Sequence, residues 1–134
     1  MAFTYVFDPV DRVVRATADG IIRLDDIAAY LQALVDAGLI GMPQLIDTRT
    51  ARHELTTADT HRLVALVKTV KAPVERTVRT ALVVTAPADY GMARMYGSLA
   101  EEADPGFAVF RDLAEAEAWV RAGPDAPPTS GPGR

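Results

Sequence analysis

The chain has 134 residues, 49% of them hydrophobic and 24% charged, with a formal net charge of −4 and no cysteine. That length suits a single core burying about two thirds of the unfolded chain's surface. The missing cysteines exclude disulfides, thiolate nucleophiles and cysteine-bound metals, and the acidic balance argues against nucleic acid, whose phosphates need a concentrated basic face.

Met1 to Tyr5 reads as strand rather than as a basic and apolar leader, and nothing downstream is long and apolar enough to span a bilayer. The expectation is a cytoplasmic protein with no transmembrane segment. Residues Phe3 to Phe7 and Arg12 to Ala18 are rich in Val, Thr and aromatics, and Asp8-Pro9-Val10-Asp11 between them has hairpin turn chemistry. After Asp19-Gly20, the spacing of Ile27, Tyr30, Leu31, Leu34 and Val35 predicts a helix with Asp25 and Asp26 as cap candidates and Gly38 as its stop. Gln44 to Asp47 reads as a short strand covered on both faces, since Leu45 and Ile46 are apolar in succession.

Thr56 to Asp59 fits a capping box with Asp in place of Glu. It opens a helix whose inner stripe is Leu63, Leu66, Val67 and Val70, with His61, Ala65 and Lys68 opposite. Arg79 to Thr85 contains the apolar run Ala81-Leu82-Val83-Val84 of a buried strand. Pro87 fits the start of a third helix with Met92, Met95, Tyr96, Leu99 and Ala103 on one face, ended by Asp104-Pro105-Gly106. Phe107 to Phe110 is the last strand, and Asp112 with Glu115 caps a final helix that turns Ala116, Trp119 and Val120 inward.

The order ββαβαβαβα implies one α/β domain over residues 1–122, with a mixed, mostly parallel sheet of about five strands and about four helices. Residues 123–134, rich in Pro and Gly and without a large apolar side chain, read as a disordered tail.

Asp19-Gly20-Ile21-Ile22, Leu45-Ile46-Asp47, the run Tyr90 to Tyr96, and Val109-Phe110-Arg111-Asp112 leading to Glu115 through Trp119 occur in an order that resembles the STAS-like family, specifically its SpoIIAA-like branch. The resemblance covers about residues 3 to 121. It implies a small non-enzymatic bacterial domain of regulation or protein contacts. Classical antagonists of that family carry an Asp-Ser-Ser-Gly type motif whose serine is phosphorylated at the start of the second helix. The corresponding stretch here, His53 to Asp59, has neither that serine nor that glycine.

Three groups of residues are candidates for chemistry. Asp47 and Arg49, expected at the carboxyl edge of the sheet with Tyr90 and Arg94, are the candidate ligand-binding set, because paired guanidinium groups hold carboxylates or phosphates by forked hydrogen bonds. Local pairing of Asp47 and solvation of Arg94 is the plainer reading. Thr56 and Thr57 are candidate phosphoacceptors at a helix N-terminus, although capping alone accounts for a threonine there. His53, Glu54, Asp59 and His61 match no metal-site spacing, so no metal and no cofactor are expected.

Met92, Met95, Tyr96, Leu99 and Trp119 are ordinary core by spacing and an apolar pocket in the bolder reading. Ala93, Gly97 and Ala100 form a small-residue strip suited to a symmetric dimer. Lys68, Lys71, Arg76 and Arg79 read as a solvated basic edge. The functional expectation is a non-enzymatic regulatory or protein-interaction module with a homodimer or protein partner. Its alternative is a domain that binds a small hydrophobic or anionic ligand near Asp47 and the third helix.

Overall fold

The computed structural model describes residues 2–122, and the expected tail over 123–134 lies outside them. Two strands, β1 (Phe3–Asp8) and β2 (Val13–Ile22), are followed by α1 (Leu24–Asp36), β3 (Gln44–His53), α2 (Thr57–Lys71), β4 (Thr80–Val83), α3 (Pro87–Leu99), β5 (Phe107–Phe110) and α4 (Leu113–Ala122). The element order is the one the sequence implies. The strands lie side by side in chain order, β1 antiparallel to β2 and the others parallel.

Local chemistry accounts for most element ends. Asp8 Oδ1 accepts the N–H groups of Val10 and Asp11 at 2.9 and 3.1 Å, which folds the hairpin. Gly38 ends α1 with φ +73°. Its N–H reaches Val35 O, and the Leu39 N–H reaches Leu34 O, the paired bonds of a left-handed helix stop. Thr56 Oγ1 accepts the Asp59 N–H while Asp59 Oδ2 accepts the Thr56 N–H, both at 3.0 Å, so the capping box at the head of α2 forms as expected. Pro87 begins α3, and Asp112 Oδ1 takes the Ala114 N–H at 2.7 Å before α4. Asp25 and Asp26 are not ahead of α1 but in its first turn, where Asp26 reaches back to the Arg23 N–H at 2.9 Å.

Strand order decides which face each helix covers. From β2 to β5 every connection moves one strand in the same direction, so right-handed crossovers put α1, α2 and α3 on one face. They pack side by side there, and α4 lies against β3, β4 and β5 on the other face. Two cores result. One joins Phe3, Val14, Ala16, Ile46 and Ile22 to Tyr30, Leu34, Leu63 and Tyr96. The other joins Leu45, Ala81, Val83, Ala108 and Phe110 to Ala116, Trp119 and Val120. The inward face of α4 is therefore the one the sequence implies. Among the described residues no helix is long and apolar enough to cross a membrane.

Several expectations are corrected. The second strand continues through Asp19-Gly20 to Ile22 and the third through Asp47 to His53, and the two extensions pair with each other from Asp19↔Thr50 to Ile22↔His53. Cross-strand pairing overrides the turn chemistry of Asp19-Gly20, and Gly20 absorbs the conflict with φ +74°. In α3 the buried positions are Asp89, Ala93 and Tyr96, Leu99 is exposed, and the helix ends before Ala103. Lys71 and Arg79 are not solvated. Lys71 Nζ is 2.7 Å from Asp104 Oδ1, and Arg79 lies over the Trp119 ring, 4.6 Å from its centroid, and donates to the Trp119 carbonyl. The small-residue strip serves this chain itself: Ala93 and Ala100 are buried, and a Cβ on Gly97 would come within 3.3 Å of the Phe107 ring.

Candidate functional site

A bulge in β3 sets up the site. Between Thr17↔Asp47 and Asp19↔Thr50 the second strand advances two residues while the third advances three, so the Thr48-Arg49 pair opposes a single residue. Side chains alternate along a strand, so residues five apart ordinarily face opposite ways and lie about 16 Å apart. The extra residue reverses the alternation and bends the strand. Thr48 and His53 then share a face, and His53 Nε2 sits 3.0 Å from Thr48 Oγ1. Thr48 donates its own hydrogen to Val83 O at 2.8 Å. Its oxygen is thereby left to accept from the imidazole, which carries the hydrogen on Nε2.

That face borders a chamber of about 100 Å³ between the sheet and the first three helices. Phe3, Ile46, Leu82 and Phe107 supply its floor; Ile27, Leu31, Leu63, Val67, Met92 and Ala93 supply its walls and roof. Polar groups enter at three places. At one end Asp104 accepts from Lys71 Nζ at 2.7 Å and from the Tyr96 hydroxyl at 2.9 Å. At the other end stand Thr48 and His53. His53 and Leu55 also border a surface depression lined by Arg23, Glu54, Asp59 and Arg62.

At the end of the floor formed by the first residues of β3 and β4 are Gln44 and Thr80, register partners on adjacent strands. Gln44 Oε1 accepts from the Tyr30 hydroxyl at 2.8 Å. Thr80 is buried, and its Oγ1 has no hydrogen-bond partner. Buried hydroxyls are nearly always paired, and one left unpaired in a cavity wall invites a ligand.

Charge states follow from these surroundings. Burial pushes the His53 imidazole below its ordinary value, against the pull of the Asp89 carboxylate. Burial likewise raises the Tyr30 and Tyr96 hydroxyls, with Asp104 adding to the effect at Tyr96, so both stay protonated and donate. At neutral pH the chamber is lined by neutral groups except the Lys71 and Asp104 pair, whose charges offset each other.

The candidate ligand-binding residues do not converge on this chamber. Asp47 and Arg49 lie inside β3 rather than beyond it. Asp47 shares the alternation of Leu45, which packs under α4, and Arg49 Nε and Nη2 each donate to its carboxylate at 2.9 Å. Those bonds hold the Asp47 carboxyl below the usual carboxylate range. Tyr90 stands on α3 between Arg111 and Arg94, whose guanidinium carbons are 4.0 and 5.8 Å from its ring centroid. The predicted quartet is thus seen as two pairs, Asp47 with Arg49 and Tyr90 with Arg94.

Thr56 is engaged as a cap, and Thr57 is exposed in the first turn of α2. Glu54 pairs with Arg23 and Asp59 with Arg62, and His61 is exposed. Among the described residues no three His, Asp or Glu side chains form a metal-holding group. Of the predicted pocket residues, Met92 and Tyr96 line the chamber, while Trp119 belongs to the opposite core. Sequence reasoning missed Gln44 and Thr80. Their signal was polarity inside otherwise apolar strands.

The fold has a solved counterpart. An uncharacterised protein of the DUF3478 family with a SpoIIAA-like fold, from Shewanella loihica PV-4, superposes with a TM-score of 0.57 over 89% of this chain and 92% of its own, at 20% sequence identity. At that identity the likeness is one of architecture, and the chain has a SpoIIAA-like fold. No protein-family model and no curated protein matches the chain.

Proposed function

We propose that this SpoIIAA-like fold serves as a non-enzymatic module that binds a small, mainly apolar molecule in the chamber beneath α1, α2 and α3. The observation that carries the reading is the chamber itself, apolar on most sides, with the unpartnered Thr80 hydroxyl in its floor. An engineered apolar cavity of about 150 Å³ takes up benzene. A chamber of about 100 Å³ holds roughly four non-hydrogen atoms without rearrangement by the same scale, and a small ring requires it to widen slightly. Larger ligands require the helices to move apart, and such movement would make occupancy readable by a protein partner.

The non-catalytic part of the reading rests on Thr48. The hydroxyl beside the imidazole commits its hydrogen to Val83 O and is not offered to His53 as a nucleophile would be. Asp47 is held by Arg49, and neither Asp47 nor Tyr90 lines the chamber that His53 borders, which supports the non-catalytic reading. A regulatory or protein-contact role, with or without a homodimer, draws its support from the likeness of fold, a weaker warrant than a site.

Thermal unfolding of the full chain with small neutral ketones, alcohols and arenes tests the reading. For a ligand of this size a Kd on the order of 1 mM is expected, and 10 mM ligand would then add about 1.4 kcal/mol and raise Tm by several degrees. Leu63→Phe, which fills the chamber, should abolish the rise. If none of the compounds moves Tm of the parent protein, the chamber is not a binding site.

A further inference from the structure

We infer that the ligand of the chamber carries a neutral oxygen acceptor, a ketone or amide carbonyl, held by Gln44 and Thr80 together; this rests on the binding role proposed for the chamber and specifies its chemistry. Among the described residues the Gln44 side chain makes one hydrogen bond, through Oε1 to Tyr30. Its Nε2 hydrogens are the end still free to donate. Thr80 Oγ1 has no partner at all. The two residues oppose each other in the parallel pairing of β3 and β4, and neighbouring strands are about 4.8 Å apart. Both side chains border the chamber, so two donors on adjacent strands can meet a single oxygen between them.

Tyr30 makes the arrangement rigid. With its hydroxyl fixed on Gln44 Oε1, the amide is oriented before a ligand arrives, and orientation already present lowers the cost of binding. The charge balance excludes an anion. Lys71, the cation bordering the chamber, is already paired with Asp104 at 2.7 Å. A carboxylate among Ile46, Leu63 and Leu82 would be buried without a counter-charge and beside that aspartate, whereas a carbonyl needs only the two hydrogen bonds the floor provides.

Cyclopentanone and cyclopentane, titrated into the full chain, differ in the oxygen and little else. Binding is read from the methyl resonances of Leu63, Leu82 and Ala93, which line the chamber. The parent protein should prefer the ketone. Thr80→Val keeps the shape and removes the hydroxyl, and it should weaken cyclopentanone roughly five- to tenfold while leaving cyclopentane unchanged; Thr80→Ser should restore most of the preference. In the parent protein the Gln44 side-chain amide resonances should shift with the ketone and not with the hydrocarbon, a readout independent of any variant. If Thr80→Val weakens both compounds alike or neither, and the Gln44 amide does not respond, the carbonyl anchor is wrong and the chamber remains a purely apolar binding site. If neither compound moves the methyl resonances of the parent protein, the chamber reading falls and the anchor with it.

Discussion

The two faces of the sheet solve the same packing problem differently. Under α4, Ala81, Ala108 and Ala116 are fully buried and make room for Trp119 and Phe110, whose ring centroids are 5.4 Å apart; Arg79 lies over the indole. Small and large side chains interdigitate there, so stability is expected to concentrate on that face. Under α1, α2 and α3 the same strands present Gln44, Thr48 and Thr80, and three helices enclose a space they do not fill. A protein that keeps a void and an unpaired hydroxyl on one face needs a well-packed opposite face to offset the cost.

The largest test of that contrast is Trp119→Ala, which should cost about 3 to 5 kcal/mol in chemical denaturation. A loss under about 1 kcal/mol would mean that the α4 face is not the stabilising one. Enlarging small residues on each side separates the faces next. Ala116→Leu has no room and should cost about 1 to 3 kcal/mol, whereas Ala93→Val, at the chamber wall, should stay within about 1 kcal/mol. Equal costs would show that the chamber offers no spare volume.

Thr80→Val removes a buried hydroxyl that bonds to nothing and should stabilise the fold by about 1 kcal/mol. Thr60→Val on the same face should not, because the Thr60 hydroxyl donates to Thr56 O at 3.1 Å. A thermal melt of both variants decides the point.

The smallest expected effect is electrostatic. The folded His53 titrates below the unfolded value of 6.5, so as pH falls the unfolded chain takes up its proton first. Stability is full above that value and declines as pH drops toward the folded one. Denaturation midpoints between pH 7 and about pH 5, above the carboxylate range, should show this slope, and His53→Gln should flatten it. A profile that is flat in the parent protein would place His53 in solvent rather than at the chamber.

Features that depend on a few neighbouring residues were legible without a structure. The Asp8 turn, the Gly38 stop, the Thr56 and Asp59 box, Pro87 and the Asp112 cap each involve bonds within about four positions, and each forms as the residue types imply. The periodicity of α4 also located its core residues, since one stripe is enough when a single helix covers a face. For α3 the same method selected Met95 and Leu99 over Ala93 and Asp89. A small or charged residue becomes buried only because another element, here β3 or β5, lies against it.

What the sequence by itself determined is the succession of elements, the parallel sheet and most of the caps, because hydrophobic period and hydrogen-bonding side chains act over short stretches of chain. What only the tertiary structure decided is the one-residue bulge at Thr48-Arg49, the pairing of Gln44 with Thr80 and the chamber between them and α2. The physical reason is that a single inserted residue reverses every side chain beyond it. Whether that insertion is tolerated depends on strands and helices dozens of positions away.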